Sequence, residues 1–228
     1  MDLTVISIGA LSANPLWGEK QAVRTGHATT TLVRDGDATI LVDPGLPAQA
    51  LAARLGERTG LLPDAITHVF LTSFHPEVRR GLAAFEQAEW LIAEREREAV
   101  GVGLVQQLQA AAEAGDADLR GALEQEVAIL QRCTAAPDEL TANTHLFPMP
   151  GQTPGSTALL LKEPTRTVLV AGDAAPTVEH INRGQVLQTA ADASAAIESL
   201  AEAVEIADAL VPGRDNITPS PLRSPFAG

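Results

Sequence analysis

The chain has 228 residues, 45% of them hydrophobic, enough to bury a full core, and a formal net charge of −13 at pH 7. That acidity weighs against nucleic acids and anionic membranes as partners, because both would repel such a surface. A single cysteine, Cys133, excludes an intrachain disulfide and a cysteine-based zinc knot.

In chain order, Leu3 to Ile8 reads as a strand. The apolar stretch to Leu11 is short and lacks a basic leader, so it is not expected to be a signal peptide. Asn14-Pro15-Leu16-Trp17-Gly18 has the punctuation of a covering loop. His27 to Arg34 and Ala38 to Val42 flank Asp35-Gly36-Asp37, a strong hairpin signal that closes on Asp43-Pro44-Gly45. A helix is expected from Ala48 to Leu55, a strand from Ala65 to Thr72, a short helix from Leu82 to Ala88 and a strand from Trp90 to Ala93. No apolar run approaches the roughly 20 residues that span a bilayer, so a cytoplasmic protein is expected.

Residues 94–133 differ from this alternation. Leu104, Val105 and Leu108 share one helical face, as do Leu119, Leu123, Val127 and Leu130, with a break at Gly115-Asp116. Two helices are expected here, packed as core, as a lid, or as the contact of a homodimer. Three strands follow, at Thr144 to Phe147, Ala158 to Lys162 and Thr167 to Val170, the last two joined by a turn at Glu163 to Arg166. A helix from Ala193 to Ala207, with Ile197, Leu200 and Val204 inward, leads to a strand at Ala209 to Val211. The expected organisation is one domain over 1–228, with 94–133 as a helical insertion and 216–228 as an extended tail.

Four loops at or near strand ends carry the candidate chemistry. They read Thr72-Ser73-Phe74-His75-Pro76-Glu77-Val78, Pro150-Gly151-Gln152-Thr153-Pro154-Gly155-Ser156, Ala171-Gly172-Asp173 and Pro212-Gly213-Arg214-Asp215. In order and spacing they resemble the metallo-β-lactamase superfamily, whose signatures are Thr-His-x-His-x-Asp-His, Pro-Gly-His-Thr-Pro-Gly-Ser, a strand ending in Gly-Asp, and Pro-Gly-His-Asp. The resemblance runs from Asp43-Pro44-Gly45 to Asp215 and is weakest over 94–133. It implies an α/β fold, the αββα sandwich of that superfamily, with a helical insertion.

The same resemblance implies where metal ligands would stand. The first zinc position falls on Ser73, His75 and Gln152, and the second on Glu77, Val78 and Arg214, with Asp173 as the bridging carboxylate. Valine, glutamine and arginine are poor or impossible zinc ligands. The expectation is therefore a scaffold that has lost the dinuclear hydrolase site and keeps a pocket of Ser73, His75, Glu77, Gln152, Asp173 and Arg214. It would need no cofactor, and its partner would be a small-molecule ligand or a protein. Arg214 beside Asp173 would supply part of the charge that metals supply in relatives. The alternative is a hydrolase of esters, thioesters or lactones with one divalent metal, zinc, manganese or iron, on His75, Glu77 and Asp173, helped by His180. No catalytic residue is assigned. His27, His68 and His145, on or beside strands, read as packing residues.

Overall fold

The computed structural model describes residues 1–223. Its first half contains β1 (Asp2–Ser7), β2 (Thr30–Asp35), β3 (Ala38–Val42), α1 (Ala48–Thr59), β4 (His68–Leu71) and β5 (Glu89–Ile92). Two long helices follow, α2 (Glu94–Ala114) and α3 (Ala117–Arg132), and then β6 (Thr134–Ala135). The second half comprises β7 (Glu139–Thr141), β8 (Thr144–Pro148), β9 (Thr157–Lys162), β10 (Thr167–Gly172), α4 (Val178–Arg183), α5 (Ala193–Ile206), β11 (Ala209–Pro212) and β12 (Thr218–Pro219).

Each half builds its own sheet. One runs in the order β1-β2-β3-β4-β5-β6 and the other β12-β11-β10-β9-β8-β7. In the first sheet β3, β4, β5 and β6 pair in parallel. Both faces of such strands are covered, which is why His68-Val69-Phe70-Leu71 and Trp90-Leu91-Ile92 read as runs and not as alternation. Val33, Ile40, Val42 and Phe70 meet Leu159, Leu161, Val168 and Val170 between the sheets. Leu51, Leu55, Leu104, Leu123 and Leu130 cover the outer face of the first sheet, while Ile181, Leu200 and Ala203 cover that of the second. The result is an αββα sandwich, as expected. Buried Asp35 joins the halves, accepting hydrogen bonds from Thr141 Oγ1 and from the backbone and side-chain nitrogens of Asn143.

Several boundaries differ from the sequence expectation. Leu82 to Ala88 holds only a 3-10 turn at Leu82–Ala84, and a second such turn, Pro15–Trp17, lies inside the first loop. Ile197 is 47% exposed, Val105 52% and Leu119 47%, so each helical stripe is narrower than its periodicity suggests. Cys133 is buried just past α3, and burial pushes its thiol up to about 11. In the tail Thr218–Pro219 pairs with β11 and a 3-10 turn covers Pro221–Arg223, so this part is not loose. Residues 224–228 of the expected tail lie outside the described residues. Among the described residues no helix is long and apolar enough to cross a membrane.

Candidate functional site

The loop 150–156 is wedged between two helices, and its glycines permit it. A Cβ at Gly151, where φ is 125°, would lie 2.1 Å from Ala196 N at the start of α5. One at Gly155 would lie 2.1 Å from Glu96 N at the start of α2. Only glycine lets the backbones approach this closely. Fully buried Glu96 then fastens two site loops to α2, accepting from Phe74 N (3.0 Å), Thr153 Oγ1 (2.7 Å) and Gly155 N (3.1 Å). Arg79 reinforces the first loop. Its Nε donates to Phe74 O, its guanidinium stacks 4.1 Å from the centre of the Phe74 ring, and it pairs with Glu126 on α3.

At the centre lies Arg214, 5% exposed on the loop after β11. Its Nε donates to Asp173 Oδ1 at 2.7 Å and its Nη2 to Asp173 Oδ2 at 2.6 Å, a planar two-point pairing. Its Nη1 donates to Glu77 Oε2. Burial works against the charge on Asp173, but the guanidinium outweighs it and holds the carboxyl below its usual range, with a smaller pull from His75. Burial likewise opposes the charge on Arg214, and the two carboxylates hold its pKa above the ordinary arginine value.

The other expected residues are less connected. Ser73 is buried, and both its Oγ and Gln152 Oε1 lack a hydrogen-bond partner. Gln152 Nε2 reaches Thr189 Oγ1 at 3.4 Å. His75 is exposed, and its Nδ1 accepts from the backbone of Glu77 at 3.3 Å, so the Glu77 carboxylate serves Arg214 and not an acid-base pair with His75. Val78 is buried in the apolar cluster under the first sheet. His180 is buried on α4 with its Nδ1 2.9 Å from Thr177 Oγ1; it makes no bond to Asp173 or Arg214. Among the described residues no three His, Cys, Asp or Glu side chains form a group that could hold a metal ion. Of the alternative ligand trio His75, Glu77 and Asp173, the two carboxylates both pair with Arg214 and His75 is exposed. His27 lies near the carbonyls of Thr25 and Ile8, His68 near Thr67 and His145 near Glu139, and none joins the pocket residues.

The covering loop expected at Asn14 to Gly18 lies over Arg214, a placement the sequence did not indicate. Leu11, Asn14, Trp17 and Arg24 of the first loop, with Thr177 and Arg214, bound a hollow of about 160 Å³. Trp17 Nε1 donates to Glu179 Oε1 at 3.2 Å, and Arg24 stacks 5.4 Å from the Trp17 ring centre while pairing with Glu19. The signal available was the Asn14-Pro15 start, where the Asn14 side chain accepts from Leu16 N.

Asp43, read in the sequence only as the close of the hairpin, directly follows β3 with φ at 52°, the one non-glycine positive φ among the described residues. Its two oxygens accept from Thr72 N at 2.8 Å and Thr72 Oγ1 at 2.7 Å. Burial, aided by Asp173, pushes its carboxyl up to about 7 from 3.8, against the pull of Thr72 and Arg214. Between those values the folded protein keeps a proton that the unfolded chain has released, so stability should fall as pH rises through this window. The full fall expected is roughly 4 kcal/mol, level above pH 7. Urea unfolding at pH 5, 6 and 7.5 checks it, with Asp43→Asn removing the slope; a level wild-type profile would contradict this protonation.

The profile of the metallo-beta-lactamase superfamily matches residues 23–213. No curated protein matches the chain in sequence. Among solved structures, a Thermotoga maritima protein provisionally assigned to the metallo-beta-lactamases is 18% identical, with TM-score 0.67, covering 96% of this chain and 98% of that one. AidC, a dizinc quorum-quenching lactonase in complex with the product N-hexnoyl-L-homoserine, is 18% identical with TM-score 0.62, over 78% of this chain and 67% of its own. A variant of AiiA from B. thuringiensis, with N-decanoyl-L-homoserine at its active site, is 17% identical with TM-score 0.60, over 90% and 86%. At these identities the likeness shows the fold alone.

Proposed function

The chain belongs to the metallo-β-lactamase superfamily, and we propose that it uses that scaffold without the dinuclear metal centre, as a binding protein for a small ligand or a partner. One observation carries the reading: Arg214, which the loop resemblance sets at a metal-ligating histidine's position, binds both Asp173 and Glu77, the carboxylates of that ligand set. A guanidinium stays protonated in proteins and offers no lone pair, and valine at 78 offers no donor atom. The donor set therefore does not fit two zinc ions, which require three or four converging nitrogen, sulfur or carboxylate ligands each.

Two further features support a binding role. Ser73 Oγ and Gln152 Oε1 are buried without partners, and such groups cost free energy unless a partner satisfies them. Arg214 uses three of its N–H groups on the carboxylates and keeps two, in the wall of the hollow under Trp17. A cavity of about 150 Å³ holds benzene, so the ligand suited to this one has about six heavy atoms, an accepting oxygen for Arg214 and a flat or apolar body for the indole.

Incubation with zinc, manganese or iron is expected to leave the wild-type protein without stoichiometric metal. Joint substitution of Ser73, Val78, Gln152 and Arg214 by histidine is expected to confer zinc uptake. About one equivalent in the wild type, lost in Asp173→Ala, would overturn the reading in favour of a mononuclear hydrolase.

A further inference from the structure

β1 pairs with β2 along one side only. Its other side presents backbone N–H and C=O groups to whatever lies beside it. Two hollows of about 460 and 390 Å³ run there and share Val5, Arg58 and Asn216. Every residue from Leu3 to Ile8 lines one or the other. Successive strand side chains point to opposite faces, so a hollow touched by an unbroken run lies against the strand's edge and not against one face.

The rim is cationic in a chain with 29 acidic residues. Arg54 and Arg58 stand one turn apart on α1, Arg166 faces them from the β9–β10 turn, and no described carboxylate lines either hollow. Arg58 has no hydrogen-bond or ion-pair partner among the described residues. Arg54 and Arg166 hold pairs with sequence neighbours, Glu57 and Glu163, while their own side chains are 54% and 48% exposed. The Arg54–Glu57 pair is exposed on both sides and contributes about 0 to 1 kcal/mol, and Arg166, bound to Glu163 through Nε and Nη2, keeps Nη1 for another carboxylate.

We propose that this edge is a docking groove for an extended acidic peptide, which adds a strand beside β1 and sets its carboxylates against Arg54, Arg58 and Arg166. Main-chain hydrogen bonds would supply affinity, and the two hollows would receive alternate side chains. Six residues of β1 give a template of roughly 20 Å. A second copy of the chain suits the groove poorly, because edge-to-edge pairing about a twofold axis would bring the same arginines together. Charged rims also guard edge strands against aggregation, but a guard needs no hollows for side chains. The acidic surface elsewhere is screened beyond about 8 Å at physiological salt.

The test is fluorescence anisotropy of the full chain with a labelled peptide of alternating valine and glutamate. Its valine-lysine counterpart, a version interrupted by proline, decanoate and inorganic phosphate serve as controls. Saturable binding of the glutamate peptide alone is expected, weakened at least tenfold in Arg58→Glu and in part in Arg58→Ala, with slowed amide exchange in β1. Absence of binding, or binding indifferent to Arg58→Glu, would overturn the proposal. Equal binding of the proline-interrupted peptide would leave only charge attraction, and competition by decanoate or phosphate would make the groove a small-anion site; either result rejects strand addition.

Discussion

Replacing Arg214 with methionine should remove about 3 to 5 kcal/mol of stability, because it leaves buried Asp173 and half-buried Glu77 without a cation. The loss reports an uncompensated charge and not the worth of the ion pair. Adding Asp173→Asn and Glu77→Gln to the same variant should therefore recover much of it, since a well-packed neutral replacement of a buried ion pair is often close to neutral. The pH dependence gives a second signature. In the wild type Asp173 is held below its ordinary value, so its contribution is present at neutral pH and is lost only as pH falls through the carboxylate range. Without the arginine, burial outweighs the remaining pull of His75 on Asp173, so the variant should gain more stability than the wild type as pH falls from 8 to 5, beyond the rise that Asp43 gives to both. Urea unfolding at both pH values measures this; a loss under about 1 kcal/mol, beneath the range for breaking a buried pair, would mean that the trio is solvated and not a buried centre.

Glu96→Ala should be nearly as damaging. Glu96 is fully buried, and its removal leaves Phe74 N and Gly155 N without acceptors, at about 1 to 3 kcal/mol each. A total near 3 to 5 kcal/mol is expected, with the cavity included. Glu96→Gln keeps one acceptor oxygen and should retain part of the stability. A merely packing role would not localise the effect, so amide exchange supplies the decisive readout. Exchange at Phe74 and Gly155 should quicken at least tenfold in the alanine variant while β9 and β10 stay protected. Uniform acceleration across both sheets would sink the idea that Glu96 specifically clamps the loops.

These two residues divide what was legible in the sequence from what was not. The Arg214–Asp173 pair could be anticipated because the resemblance of Ala171-Gly172-Asp173 and Pro212-Gly213-Arg214-Asp215 to two loops of the superfamily implied that both residues line one site. Glu96 could not, since Glu94-Arg95-Glu96-Arg97-Glu98 reads as a solvated helix start and nothing in that alternation says that the middle carboxylate turns inward. Its direction depends on the close approach of Gly155, 59 residues further along the chain. Strands β6 and β12, two residues each, are too short to display a period of two. The helical stripes were read too broadly at Val105, Leu119 and Ile197, because periodicity marks a face without fixing how far the neighbouring layer extends over it.

Because each sheet is a single uninterrupted half of the chain, the polypeptide has a natural seam at the exposed Pro137 between β6 and β7. Glu77 lies on one side of that seam, Asp173 and Arg214 on the other, and Glu96 reaches across it to Thr153 and Gly155. Neither half alone can bury the apolar layer between the sheets or complete the ion cluster. A chain cut at the seam would thus regain its central charge network only when its two pieces reunite, which makes that network an internal marker of complementation between fragments.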